Sequence, residues 1–477
     1  MGASHPRKPS EDGFAGRWRG QEGATGMFWA VTEAGGADFG DARLAQRLVR
    51  LLDCLSEHPT ASIPHACGTW AHTKAAYRFF DNPRVTAAAI LAPHRQQTVR
   101  RAAAYPVILA VQDTTVFNLT LHRHTQGLGP IGQAGLSGFF LHSCLAVSPD
   151  GVPLGLLGST TWVRPPESKD SHRTHKHRPI GDKESRRWID LTDVATADLP
   201  PTTRVIMVAD READLIDVFV HATQRGHDAI IRAAWDRRCV EPAGYLWATV
   251  AAQPVLGTLT VAVPRHDDAP TRTAVVTLRC ARVTLRPPPH RRAEQLPAPS
   301  VTAVWVREAS PPEGTPPIEW MLLTPWPVKD LTTAQTVVRY DTYRWRIERY
   351  HYVLKSGCRI EDLQLETFDR LDRALAGYRL VAWRLLWLTY LAREQPETPC
   401  TTVLRPAEWA ALYAAHTRRP DPPPAPVDLR TAVRWIAQLG GFLGRRGDGE
   451  PDVKTLWRGY RRLEDLTVMW EILHPPG

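Results

Sequence analysis

Val107-Ile-Leu-Ala-Val-Gln-Asp113 sets five consecutive apolar residues ahead of a carboxylate, and Val205-Ile-Met-Val-Ala-Asp210 repeats the arrangement. Runs this short, apolar on both faces, read as strands covered on both sides, the kind an α/β sheet contains. Each strand is expected to end at its carboxylate. In such sheets ligands gather at the carboxyl ends of the strands, which makes both aspartates candidate site residues. The plainer reading is that each Asp starts a turn or caps the next helix.

Working outward, residues 139–147 and 152–163 read as strands joined by Ser148-Pro-Asp-Gly151. A polar loop, 164–187, carries His172, His175 and His177. Residues 211–225 read as a helix and Ala229-Ile-Ile-Arg232 as a strand. From about 235 to 325 the chain is β-rich, with strands at 258–263, 274–283, 302–306 and 320–323 and a basic loop at Pro287-Pro-Pro-His-Arg-Arg292. Helix is predicted over 331–355 and 368–394. Toward the N-terminus, Asp41 can cap a helix whose Leu44, Leu48, Leu51 and Leu52 share a face; further helices follow at 73–80 and from Thr86. Residues 1–26 read as a disordered leader, with Met27 opening the patterned chain. Pro420-Asp-Pro-Pro-Pro424 is a stiff spacer before a helical segment, 429–473.

The 477 residues are 43% apolar and 23% charged, which is globular composition and excludes a collagen, a disordered chain or a disulfide miniprotein. No apolar stretch approaches the roughly 20 residues of a membrane span, and no signal peptide is evident. The seven cysteines are scattered, with no C-x-x-C spacing, which fits a reducing, cytoplasmic setting. The net charge of +9 favours a polyanionic partner, although it is a weak signal alone.

A third carboxylate lies in Arg344-Trp-Arg-Ile-Glu348-Arg-Tyr-His-Tyr-Val-Leu-Lys355. At 100° per residue Glu348 falls about 40° from Arg344 and Lys355 about 20°, so one helix face carries a carboxylate between cations. A solvated ladder of ion pairs would look the same. Flanking Trp345, Ile347, Val353 and Leu354 argue for a packed helix. Two aspartates on strands and a glutamate on a helix suit two hard divalent cations about 3.5–4 Å apart, acting on a phosphodiester. The histidine loop reads as phosphate-contacting rather than metal-binding. Trp320 reads as core or as a platform for an unstacked base. No phosphate-loop, dinucleotide, serine-hydrolase or H-E-x-x-H motif is present.

These residues stand among ordered blocks: Gly40-Asp-Ala-Arg-Leu-Ala-Gln-Arg-Leu-Val49, Ala76-Tyr-Arg-Phe79 with Asn82-Pro83, Gln112-Asp-Thr-Thr115, Lys183-Glu-Ser185 with Trp188, Asp210-Arg-Glu-Ala-Asp214, Arg344-Trp-Arg-Ile-Glu348 and Leu439-Gly-Gly-Phe442. Together they resemble the bacterial cut-and-paste DDE transposases of the insertion-sequence-four group, similar to the transposase of transposon five. The resemblance runs from about Phe28 to the C-terminus.

It implies an α/β fold, an RNase H-like mixed-sheet catalytic core at 105–394 with a β-rich insertion at about 235–325. That core would be flanked by a helical DNA-binding domain at 27–104 and a helical dimerisation domain at 395–477. Asp113, Asp210 and Glu348 would bind Mg2+, with Mn2+ as a substitute. Arg344 and Lys355 would hold DNA backbone around a flipped base, and Trp320 would stack on that base. Arg232 would contact active-site DNA, while Arg43, Arg47 and Arg78 would serve the N-terminal DNA surface. The signature tyrosine position is Asp341; neighbouring Tyr340 is a candidate replacement, and Asp341 is expected to add negative charge near the metals. The implied partners are double-stranded transposon ends, target DNA and a second subunit in a synaptic complex, with no membrane and nucleoid association when DNA-bound. The implied activity is cleavage through a hairpin followed by 3′-hydroxyl strand transfer. The rivals are a catalytically impaired DNA-binding inhibitor and a metal-dependent endonuclease without strand transfer.

Overall fold

The computed structural model describes residues 28–132, 135–165, 178–263 and 272–475. The leader and His172, His175 and His177 lie outside the described residues. The chain forms two compact units. One takes the described residues up to Pro93, Gly357–Arg359 and Arg373 onward; the other takes His94–Ser356 and Ile360–Asp372.

The chain begins with helices α1 (Phe28–Ala34), α2 (Ala42–Glu57), α3 (Ile63–Cys67) and α4 (Trp70–Asp81). Asp41 caps α2 by accepting the Arg43 N–H at 2.9 Å, and Leu44, Leu48, Leu51, Leu52 and Leu55 form its buried stripe. Helix α5 (Ala87–Ala102) starts beyond Thr86, whose hydroxyl accepts the Ala89 N–H at 3.1 Å.

The second unit is built on one twelve-stranded mixed sheet. The two apolar runs become β1 (Val107–Asn118) and β5 (Arg204–Ala209), paired in parallel from Val107↔Arg204 to Val111↔Val208. On one side of β1 lie β3 (Ser137–Val147), antiparallel, with the short β2 (Gly129–Pro130) and then β4 (Pro153–Trp162) on β3. On the other side β5 is followed by parallel β6 (Asp228–Arg232). Helix α6 (Arg187–Thr196) precedes β5, and α7 (Ile216–Arg225) joins β5 to β6. This is an RNase H-like core.

The β-rich insertion comprises β7 (Arg238–Glu241), β8 (Gly244–Tyr245), α8 (Leu246–Ala251), β9 (Gly257–Val263), β10 (Arg272–Leu285), β11 (Ser300–Glu308) and β12 (Glu319–Thr324). It continues the same sheet, because β12 pairs with β6 at Leu322↔Arg232 and Leu323↔Ile231. Its basic loop is folded back: Arg291 is buried on Asp217, at 2.8 Å through Nη2.

The structure corrects several sequence expectations. Strand β1 does not stop at Asp113. Its antiparallel partner β3 carries the ladder on through Asp113↔Ser143 to Asn118↔Gly138. The expected helix over 211–225 starts only at α7; a 3-10 turn, Arg211–Ala213, comes first. Part of the expected loop at 164–187 is wound into 3-10 turns, Ile180–Asp182 and Glu184–Arg186. The helix over 331–355 is really α9 (Leu331–Thr342), a tight turn at Tyr343-Arg344, α10 (Trp345–Tyr352) and a π-type turn, Val353–Gly357. The N–H groups of Arg344 and Ile347 reach back three residues, to Asp341 and Arg344. That tighter winding breaks the regular 100° progression.

Helix α11 (Phe368–Glu394) follows, and α12 (Pro406–Thr417), α13 (Leu429–Leu439) and α14 (Val453–Leu473) complete the first unit. Asp428 and Asp452 cap the last two, each accepting a threonine N–H at 2.8 Å. Helix α14 crosses α13 at Gly440 and Gly459. A Cβ on Gly459 would stand 1.7 Å from the Ile436 carbonyl oxygen, so the crossing requires glycine. No helix among the described residues is long and apolar enough to cross a membrane.

Candidate functional site

The parallel register puts Asp113 and Asp210 two residues beyond the last β1–β5 pair, Val111↔Val208. Adjacent strands lie about 4.8 Å apart, so the two carboxylates stand side by side at one end of the ladder. Asp113 Oδ1 accepts its own neighbour's N–H, from Thr114, at 2.8 Å. Asp210 caps the 3-10 turn after β5, accepting the Glu212 N–H at 2.9 Å. Burial pushes the Asp210 carboxyl up from its ordinary range; the nearby charges of Asp113 and Glu348 push the same way, while the Glu212 N–H and Arg344 oppose them. Electrostatics thus couples all three predicted carboxylates.

Glu348 reaches this group from α10. It is half exposed and ion-paired with Arg344, one turn earlier. Arg344 is buried, and its Nε has no hydrogen-bond partner among the described residues. Burial works against the Arg344 charge, but Glu348 and Asp341 outweigh it and the guanidinium is held more firmly protonated. Lys355 sits in the π-type turn, over the Phe117 ring at 5.6 Å and 4.0 Å from Glu361. Such turns are frequent at functional sites.

Four expectations acquire a different setting. Asp341 is fully buried and bound by Arg232, with Nη2 to Oδ2 at 2.6 Å, so its charge is matched rather than free. The Arg232 guanidinium is engaged there and also lies 4.4 Å over the Trp320 ring. Trp320 is only 8% exposed, edge-on to Trp345 at 6.2 Å; it is packed, not open as a platform. Tyr340 is likewise buried, between Trp326 and Tyr343. In the helical unit Arg43 is exposed on Asp41 at 3.0 Å, Arg78 is exposed and Arg47 half-buried.

Sequence reasoning assigned no role to four further residues at this edge. Glu212 is raised by burial and by Asp210 and Asp113. Arg187 bridges Glu212 at 2.9 Å and the Thr114 hydroxyl at 3.0 Å. His142 and His351 lie on opposite sides of β1. Only Glu212 carried a signal, inside the Asp210–Asp214 block.

Among the described residues no group of three or more His, Cys, Asp or Glu stands at metal-holding spacing. One oxygen of Glu348 is turned onto the Arg344 guanidinium. The donor set is nevertheless what a hard divalent ion takes, and the carboxylate repulsion that adds to the burial-driven rise of Asp210 is what such an ion relieves.

Three family models match the chain in order. "Transposase DNA-binding" covers residues 27–85, "Transposase DDE domain" covers 161–384, and "Transposase Tn5 dimerisation domain" covers 380–471. The DDE match contains Asp210 and Glu348, and the sheet register supplies Asp113 from outside it. With the mixed sheet, this defines the class: the chain belongs to the DDE transposases, enzymes whose domain implies a divalent metal cofactor. Within that class it is similar to the Tn5 transposase, of the insertion-sequence-four family.

Proposed function

We propose that this transposase binds transposon ends through its N-terminal helical domain, 27–104, using Arg43, Arg47 and Arg78. Helices of 395–477 would pair two copies in a synaptic complex. The catalytic domain, 105–394 with its insertion, would cut and rejoin DNA at Asp113, Asp210 and Glu348. The observation that carries this reading is the shared register of Asp113 and Asp210 with Glu348 in electrostatic reach.

These three carboxylates would hold Mg2+, or Mn2+ in its place. A bound divalent ion there supplies a Lewis acid for the scissile phosphate and lowers the pKa of the attacking oxygen. Arg344 exchanges Glu348 for a DNA phosphate, which gives its orphan Nε–H an acceptor. Lys355 holds backbone phosphate beside it. In the reaction order we infer, water first nicks one strand and releases a 3′-hydroxyl. That hydroxyl attacks the opposite strand to form a hairpin, water reopens it, and the same hydroxyl joins target DNA. Trp320 would act on the hairpin base after its Arg232 cover moves.

The inhibitor reading drew its support from Asp341. Arg232 pairs with that charge, which supports a working carboxylate group despite the departure from the family tyrosine. Supplying pre-cut ends and a supercoiled target separates the remaining readings. Joined products are expected; cleavage of uncut ends without joining would make the protein an endonuclease.

A further inference from the structure

His351 lies on α10, one turn beyond Glu348, and is 5% exposed. Its Nδ1 stands 3.6 Å from Asp113 Oδ2, and its Nε2 is 3.3 Å from the Ser143 hydroxyl. Ser143 is the residue directly opposite Asp113 in the β1–β3 ladder, so the ring bridges β3 and β1 from above. The other face of β1 is closed independently. His142 meets the Thr114 hydroxyl and the Gln112 side-chain oxygen, each at 3.0 Å, and the Gln112 amide donates to Thr192 at 2.8 Å. The residues on either side of Asp113 are therefore locked from beneath. Its own Oδ1 is locked by the Thr114 N–H. Oδ2 is the oxygen left to be oriented, and His351 is the group that faces it.

We propose that His351 is a positioning residue: its Nδ1–H, aimed by Ser143 at Nε2, orients Asp113 Oδ2 for a divalent cation. This rests on the reading of Asp113 as a metal ligand. At 3.6 Å the contact is too long for a hydrogen bond, and a shift of about half an ångström closes it. Because α10 carries both His351 and Glu348, the same ring couples the strand-borne ligand to the helix-borne one. A plain core role would ask only for volume, and leucine would satisfy it.

Full-length protein titrated with Mn2+ and read by electron paramagnetic resonance tests this, with thermal unfolding recorded in parallel without metal. Groups that orient a ligand from behind change metal affinity by roughly 10–100-fold, and that loss is expected for His351→Leu. His351→Asn places an amide N–H where Nδ1 was and should recover most of the affinity. His351→Gln places its amide where Nε2 was and should not, so this pair decides the matter even if the leucine variant does not fold. Ser143→Ala should fall between. Wild-type Mn2+ affinity in folded His351→Leu, or equal affinity in Asn and Gln variants, overturns the proposal. An Asp113→Ala arm separates the two layers. If that variant keeps its Mn2+ affinity, the ligand assignment has failed; if it loses affinity and the His351 variants do not, only the positioning role has failed.

Discussion

Asp113 and Glu348 reach one site by opposite means. Asp113 sits inside a strand that is paired with β3 on both sides of it, and one carboxylate oxygen is fixed by its own backbone. Glu348 sits on a short helix entered through a tight turn, half exposed, with Arg344 as its partner. The strand-borne carboxylate is set when the sheet forms. The helix-borne carboxylate has a competing cation, and on the proposed reading it would be released to a metal when that cation is given a phosphate. On that reading the sheet provides position and α10 would provide dependence on DNA, which would keep an unbound enzyme from hydrolysing nucleic acid at random.

The largest expected effect breaks the rigid side. Asp113→Ala or Asp210→Ala should abolish nicking in a cleavage assay while end binding, read by gel shift, stays nearly unchanged. Equal loss of both would remove the catalytic role.

Next is the packing that supports the helix side. Trp320→Ala removes a buried aromatic between Arg232 and Trp345 and should cost about 3–5 kcal/mol, read by chemical denaturation. Trp320→Phe should keep the fold and slow hairpin formation more than the first nick. Equal slowing of both steps would end its role on the hairpin base.

A smaller effect sharpens the comparison. Arg344→Gln should free Glu348 and tighten Mn2+ binding by the DNA-free protein, by at most about fivefold because the pair is partly solvated. The same variant should cleave poorly. Weaker Mn2+ binding would mean that Arg344 orders Glu348 rather than competing for it.

The smallest effect contrasts the sheet-edge carboxylates with a buried set in the helical unit. There Asp53 is pushed up to about 6 and Glu57 to about 8, both first by burial. Arg384 and Arg405 oppose the shift of Asp53, while Glu408 and Glu464 add to it. Folded protein therefore holds protons that the unfolded chain releases. The contribution of Asp53 and Glu57 to stability should be fully present below the ordinary carboxylate range and be lost as pH rises through about 6 and then about 8. Glu57→Gln should flatten the upper part of that fall in thermal melts; an unchanged slope would assign it elsewhere.

Much of this was legible in the sequence, for physical reasons. Apolar runs report strands covered on both faces, so β1 and β5 were visible, and so was the helical stripe of α2. Block order reported the family before any coordinates. What stayed hidden depended on partners distant along the chain. Nothing near Asp113 announces that β3 will extend its strand. Asp341 looked like a free charge because Arg232, its partner, lies on another strand. The wheel placed Arg344, Glu348 and Lys355 on one face by assuming an unbroken helix; Arg344 and Glu348 do pair, but the π-type turn at Lys355 departs from that winding. A lone histidine in a helix carries no pattern, so His351 emerged only with Ser143 and Asp113 beside it.

On the proposed reading Asp113, Asp210 and Glu348 share a divalent metal. Replacing Mg2+ with Fe2+ in the end-bound protein and generating hydroxyl radicals at the iron would cut the backbone where it passes closest. The account predicts fragments ending near residues 113, 210 and 348, suppressed by excess Mg2+. Cuts confined to other segments, or missing from any one of these positions, would contradict it.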